Sequence, residues 1–216
     1  MPVKKEHPVR SENFEQLILD IAENVFLERG FALTTTTEIA KRVGCNQALI
    51  HYYFRTKDRL FERLFEKKFF AFMTSVSFRQ EDNLSFKEII RGIVHNHLKI
   101  ISENPKLPFL IISEMTLNPH RFRSIAENIE SAVKSMLIGL NSELQKEIMA
   151  KRVREISAFD LLLNILSLNL FMFVSQPLIS YVKGFTWDEY INFVKQRGDE
   201  IFLTVWRGIS LEPQKQ

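Results

Sequence analysis

The chain reads as all-α, and three observations say so. Apolar residues recur at three- and four-residue spacing in segment after segment, beginning with Phe14, Leu17, Ile18, Ile21, Ala22, Val25 and Phe26. That is the period of one helix face. Start signals recur too: Thr35 with Glu38, Ser85 with Glu88 and Thr186 with Glu189 each place a hydroxyl three residues ahead of a carboxylate, the capping-box spacing. No internal repeat, proline-rich linker or low-complexity tract interrupts the 216 residues, and 45% of them are hydrophobic, ample for a core.

The opening residues, MPVKKEHPVRSENF, contain no apolar signal core and read as a loose arm. Its Lys4, Lys5 and Arg10 are more simply solvated than docked in a minor groove. The first helix then runs from Phe14 and closes at Gly30. Thr35 caps a short second helix that buries Ile39, Ala40 and Val43, and Gly44 ends it in the left-handed conformation. Asn46 caps a third helix, Gln47 to Phe54, anchored from behind by Ile50 and Phe54. Four-residue spacing leaves Gln47, Ala48, His51 and Tyr52 or Tyr53 nearer the outside.

Two short helices folded about a glycine turn are the form of a helix-turn-helix. The outer face of the second is hydrogen-bonding but barely charged, which suits a major groove. There Gln pairs bidentately with adenine, His donates to a guanine edge and small apolar groups touch a thymine methyl. Thr36, the tyrosine hydroxyls and Lys57 stand around it as phosphate binders that fix register, and Thr37 is counted among the DNA-binding residues. Net charge is only +3, but between Lys41 and Lys68 eight Lys or Arg stand against three Asp or Glu. Basic charge is concentrated where the motif lies.

These residues carry a resemblance. Thr35, Thr36, Glu38, Ile39, Ala40, Gly44, Ile50, Tyr53, Phe54 and Lys57, with Phe26 and the Arg29-Gly30-Phe31 exit before them, resemble the N-terminal domain of the TetR family, bacterial transcription factors. The match in motif covers about the first quarter of the chain. Members often have Lys-Gly-Thr where this chain has Gln47, Ala48 and Leu49, and often Tyr where it has His51. Since those positions face bases, the resemblance implies the fold and leaves the operator sequence to this chain. It also implies a homodimer joined through the last two helices, and repression relieved by a ligand.

Beyond the motif, Thr56 caps a helix from Lys57 through about Phe78, with Asp58 at its positive end. Running from the DNA contact into the second region, it forms a lever. Ser85 opens a helix that buries Ile90, Ile93, Val94, His97 and Ile101, with a possible staple between Leu84 and Ile89. Asn104-Pro105 and Asn118-Pro119, read as caps each followed by a helix-opening proline, bracket a short helix from Leu107 to Leu117. The next runs from Pro119 toward Met149. Phe159 to Tyr181 is long and apolar enough to suggest a membrane span, but Asp160, Asn164, Asn169, Gln176 and Pro177 interrupt it. A helix apolar all round must be covered on every side, and a second copy about a two-fold axis is the simplest cover. Thr186 opens the last helix, where Gly198 implies the close approach of a neighbour.

Several chemistries are excluded. The single Cys45 allows neither an internal disulfide nor a CxxC metal site, fits a reducing cytoplasmic compartment, and reads as a buried small residue. His95 and His97 project about 200° apart on one helix and cannot clamp a metal ion. With no GxGxxG, P-loop or HExxH, neither a cofactor nor an enzyme is expected. The expectation is thus a DNA-binding domain over residues 1–57 and a helical effector-binding and dimerisation domain over 58–216. The whole is a homodimeric regulator of double-stranded operator DNA, released by a small apolar effector that meets His97, Glu114 and Asn164. An effector-independent architectural protein, and an enzyme that borrowed the motif, are the alternatives.

Overall fold

The computed structural model describes residues 8–75 and 84–211. Among them are ten helices: α1 (Pro8–Leu33), α2 (Thr36–Val43), α3 (Gln47–Phe54), α4 (Lys57–Thr74), α5 (Phe86–Glu103), α6 (Leu107–Leu117), α7 (Pro119–Met149), α8 (Ala158–Val174), α9 (Gln176–Lys183) and α10 (Trp187–Ile209). The chain divides into two compact units, Met1–Lys68 and Phe69–Gln216. Lys4 and Lys5 of the expected arm lie outside the described residues, as do Val76 and Phe78 at the expected far end of α4.

In the first unit the apolar faces converge: Ile18, Ala22, Val25, Phe26, Ile39, Ile50, Leu60, Phe61 and Phe65 are all buried, Phe61 being one that the sequence pattern did not single out. The Phe61 ring meets Phe26 and Phe31 edge-on, each at 5.0 Å, the geometry aromatic quadrupoles favour. The helical path of α1 breaks at Gly30, whose φ of 72° is open to glycine at little cost. The Oγ1 of buried Thr34 donates to the Gly30 carbonyl at 2.8 Å. Thr35 caps α2 by accepting from Glu38 N at 3.2 Å, but the expected capping box is only half made. Glu38 pairs instead with Arg29 at 2.6 Å and Arg42 at 3.1 Å, where it ties α1 to α2. Gly44 ends α2 with φ 80°, and Asn46 accepts from Leu49 N at 2.9 Å to open α3.

In the second unit both expected boxes are complete, Ser85 with Glu88 and Thr186 with Glu189. Each carboxylate is held below its ordinary pKa by the hydroxyl and backbone N–H of the cap. Helix α6 spans Leu107–Leu117 as expected, but neither flanking asparagine caps by its side chain. Asn104 and Asn118 instead end α5 and α6, their Nδ2 groups donating back to the Ile100 carbonyl and Glu114 Oε1, each at 3.1 Å. The long apolar run is not one helix: it breaks at Ser175 and bends by 61° into α9, with Pro177 in the first turn. No single helix among the described residues is long and apolar enough to cross a membrane.

The buried Gly198 of α10 lies against α5, where a Cβ would come within 2.9 Å of His95 Cε1. Between α7 and α8, residues 150–157 strap onto the end of α10. Val153 bridges Ser210, Arg154 N donates to the Ile209 carbonyl at 2.8 Å, and Leu211 N donates to the Arg152 carbonyl at 2.9 Å.

Candidate DNA-recognition surface

Helix α3 presents what its pattern implies: Ile50 and Phe54 are buried, while Gln47, Ala48, His51 and Tyr52 are exposed. Leu49 and Tyr53 are half-buried. Tyr53 turns toward Phe14, with ring centroids 6.0 Å apart, so of the two tyrosines Tyr52 faces outward.

The polar side chains on this face form one network. Thr37 Oγ1 donates to Gln47 Oε1 at 3.1 Å, and Gln47 Nε2 donates to Thr36 Oγ1 at 2.9 Å. Gln47 Nε2 also lies 3.2 Å from His51 Nε2, and His51 Nδ1 lies 2.7 Å from the Arg55 carbonyl. Thr36, expected as a phosphate binder, and Thr37 therefore hold Gln47 in place.

Arg55 is the residue that sequence reasoning missed. Its φ of 63° and ψ of −51° put a non-glycine residue in the strained form of a three-residue turn, closed by Thr56 N donating to the Phe54 carbonyl at 2.7 Å. That turn ends α3 and aims the Arg55 carbonyl back at His51. Sequence gave no signal for it, because a positive φ is ordinarily announced by Gly or Asn.

Lys57 departs from expectation. Its half-buried ammonium donates to the Phe31 carbonyl at 2.9 Å and the Thr34 carbonyl at 3.0 Å, and lies 4.2 Å from the centroid of the Phe31 ring. It is committed to the turn between α1 and α2 rather than standing free for a phosphate. Cys45 is half-buried, and desolvation raises its thiol pKa, which leaves it a poor nucleophile.

The ligand residues expected in the second unit fare differently. His97 is fully buried, and burial lowers its pKa to about 4, so the imidazole is neutral. Buried Glu114 is answered by Arg121, which donates through Nε at 2.8 Å and Nη2 at 3.0 Å. Asn164 is exposed and does not face the interior. The inward asparagine is Asn169, whose Nδ2 donates to the Val94 carbonyl at 3.0 Å and lies 3.1 Å from His97 Nδ1. His95 and Asn96 join Leu98, Lys99, Ile191 and Lys195 around a separate open groove of about 610 Å³ between α5 and α10. Among the described residues no group of three or more His, Cys, Asp or Glu is placed to hold a metal ion.

Comparison with known proteins agrees with this geometry. Residues 18–64 match the model of the bacterial regulatory proteins of the tetR family, a span that holds α2, α3 and most of α1. Over 180 residues the chain is 24% identical to the nucleoid occlusion factor SlmA of Vibrio campbellii, covering 83% of this chain and 89% of that protein. It is 22% identical to the fatty acid metabolism regulator protein of Bacillus subtilis, covering 64% of this chain and 70% of that protein. The solved structure of the fatty acid degradation regulator FadR from Bacillus halodurans superposes with a TM-score of 0.65 at 18% identity, over 89% of this chain and 98% of that one. Residues 18–64 therefore match the tetR-family model, and the chain shares the fold of FadR.

Proposed function

We propose that this protein is a TetR-family transcriptional regulator, a homodimeric repressor released from its operator by a small and largely apolar effector that binds among the C-terminal helices. The observation that carries the effector is the buried pair His97 and Asn169, each 0% exposed, in which His97 Nε2 and Asn169 Oδ1 have no hydrogen-bond partner. Because Asn169 Nδ2 donates to Val94 O, the amide has one orientation. Its second N–H then faces His97 Nδ1, and the imidazole proton sits on Nε2. The pair thus offers one unmet donor and one unmet acceptor inside an apolar core. Each costs about 1–3 kcal/mol while unmet, which a ligand hydroxyl or amide would offset.

The His97 ring packs edge-on against Phe72 at 4.8 Å. Phe72 lies near the end of α4, the helix whose first residue, Lys57, follows the turn at Arg55 and Thr56. A ligand that shifts Phe72 therefore acts on α4, and it weakens DNA binding by its difference in affinity between the two states.

The dimer reading rests on Phe159 and Phe171 of α8, 61% and 66% exposed, with Leu163 also uncovered between them. Apolar surface of this size on the face expected to meet a second copy supports pairing through α8 and α10.

Selection of bound duplexes from random DNA by the purified protein tests the whole reading. A palindrome with half-sites about one helical turn apart is expected; a lone half-site would remove the dimer. Medium-chain alcohols such as 1-decanol should raise the melting temperature, as binding to the native state must, and lower operator affinity. The likeness to a nucleoid occlusion factor favours a second reading, an architectural DNA-binding protein without effector. A melting temperature and DNA affinity indifferent to such alcohols would select it.

A further inference from the structure

On the exposed face of α3, the direction of each hydrogen bond is fixed by the strained turn behind it. A carbonyl only accepts, so the Arg55 carbonyl, 2.7 Å from His51 Nδ1, places the imidazole proton on that nitrogen. In the neutral ring Nε2 is then a lone pair. Gln47 must turn its Nε2 toward it, as it does at 3.2 Å, because the inverted amide would set Oε1 against that lone pair. The remaining contacts follow. Thr36 accepts the second Gln47 N–H, and Thr37 fills one lone pair of Gln47 Oε1. Both N–H groups of Gln47 are thereby spent inside the protein. What the pair can show to a base is the second lone pair of Gln47 Oε1, since His51 Nε2 is occupied by Gln47.

Bidentate pairing of Gln with adenine needs an N–H for N7 as well as an oxygen for the N6 amino group. Donation by His51 to a guanine edge needs a proton on Nε2. Neither is available in this arrangement. We propose that Gln47, held by His51 and Thr36, reads the major groove as an acceptor, so that the base it faces is adenine or cytosine, recognised through its exocyclic amino group. Guanine and thymine are refused there, because every hydrogen-bonding atom on their major-groove edges is an acceptor. The proposal rests on the reading that α3 enters the major groove. It makes Arg55, His51 and Thr36 positioning residues, acting on Gln47.

The test uses the full chain at pH 8. Duplexes are selected from random DNA by the wild type and by Gln47→Ala and His51→Ala, and the positions at which each variant relaxes are identified. At those positions adenine is replaced by purine, or cytosine by 2-pyrimidinone, each lacking only the amino group. Wild-type affinity should fall about tenfold, while the variant that lost the contact should be indifferent. Replacing adenine by 7-deazaadenine should cost the wild type little. Thr36→Val, which returns one N–H to Gln47, should admit guanine at the same position. A relaxed position read through guanine, a 7-deaza penalty equal to the amino penalty, or base preferences that neither alanine variant changes would each overturn the acceptor reading. Failure of the wild type to bind any duplex at low salt would instead remove the groove reading beneath it.

Discussion

Gly198 and His95 occupy one place between them: a Cβ on residue 198 would lie 2.9 Å from His95 Cε1 and 3.1 Å from Leu98 Cδ1. Glycine in the middle of α10 forgoes about 1 kcal/mol of helix propensity relative to alanine. Overpacking a fitted contact costs roughly 1–3 kcal/mol, so the contact wins. Gly198→Ala should therefore destabilise by about 1 kcal/mol net in urea unfolding. Adding His95→Ala should recover most of the loss, and a single variant as stable as wild type would show that His95 swings aside freely.

Lys57 holds two carbonyls at the turn between α1 and α2. Lys57→Met keeps the stem and removes the charge-assisted bonds, at a cost of about 2 kcal/mol. In a chain of this size the melting temperature should drop by roughly 4–8 °C. An unchanged melting temperature with uniformly weaker binding to all duplexes would return Lys57 to the phosphate backbone.

Strain at Arg55 predicts a gain from its removal. Arg55→Gly relaxes a backbone that costs an L-residue about 1–3 kcal/mol and gives back part of this as chain entropy. The expected net is about 1 kcal/mol of added stability by chemical denaturation. Base preference at the position assigned to Gln47 should be retained, since the carbonyl that orients His51 remains. A loss of stability would mean that the Arg55 side chain contributes more than its backbone withholds.

Burial of His97 writes a pH dependence into the fold. Its pKa is about 4 when folded and near 6.5 when unfolded. Between those values the unfolded chain binds the extra proton, so stability rises with pH. Above pH 6.5 the group contributes no slope; below it stability falls, by an amount approaching about 3 kcal/mol near pH 4. Replacing the residue by glutamine should flatten that segment of the stability profile relative to wild type, and parallel profiles would refute the assignment.

The pattern of legibility has physical causes. Where local rules decide, the chain announced itself: Asn46 and Ser85 cap as read, Gly44 turns left-handed, and α6 has the bounds that its neighbours implied. Phase was lost where a helix is apolar on every side. Nothing in the run through α8 says whether Asn164 or Asn169 points inward, and only packing of Asn169 against Val94 on α5 decides it. The break at Ser175 hid in the same run, although Pro177 marked it. On the outer face of α3 the exposed residues were legible but their partners were not. Lys57 finds Phe31, 26 positions back, and the direction of the Gln47 and His51 bonds depends on a carbonyl that no side chain advertises.

The strap of residues 150–157 on the end of α10 gives the end of that helix a reach beyond its own surface. Ser210 and Leu211 close a small clasp with Val153 and Arg152, and Arg154 Nε adds a bond to the Gly208 carbonyl at 2.6 Å. Trimming the tail back to Gly208 would therefore loosen a connection more than fifty residues earlier in sequence. A reporter or affinity handle fused directly at that end would pull on the join between α7 and α8.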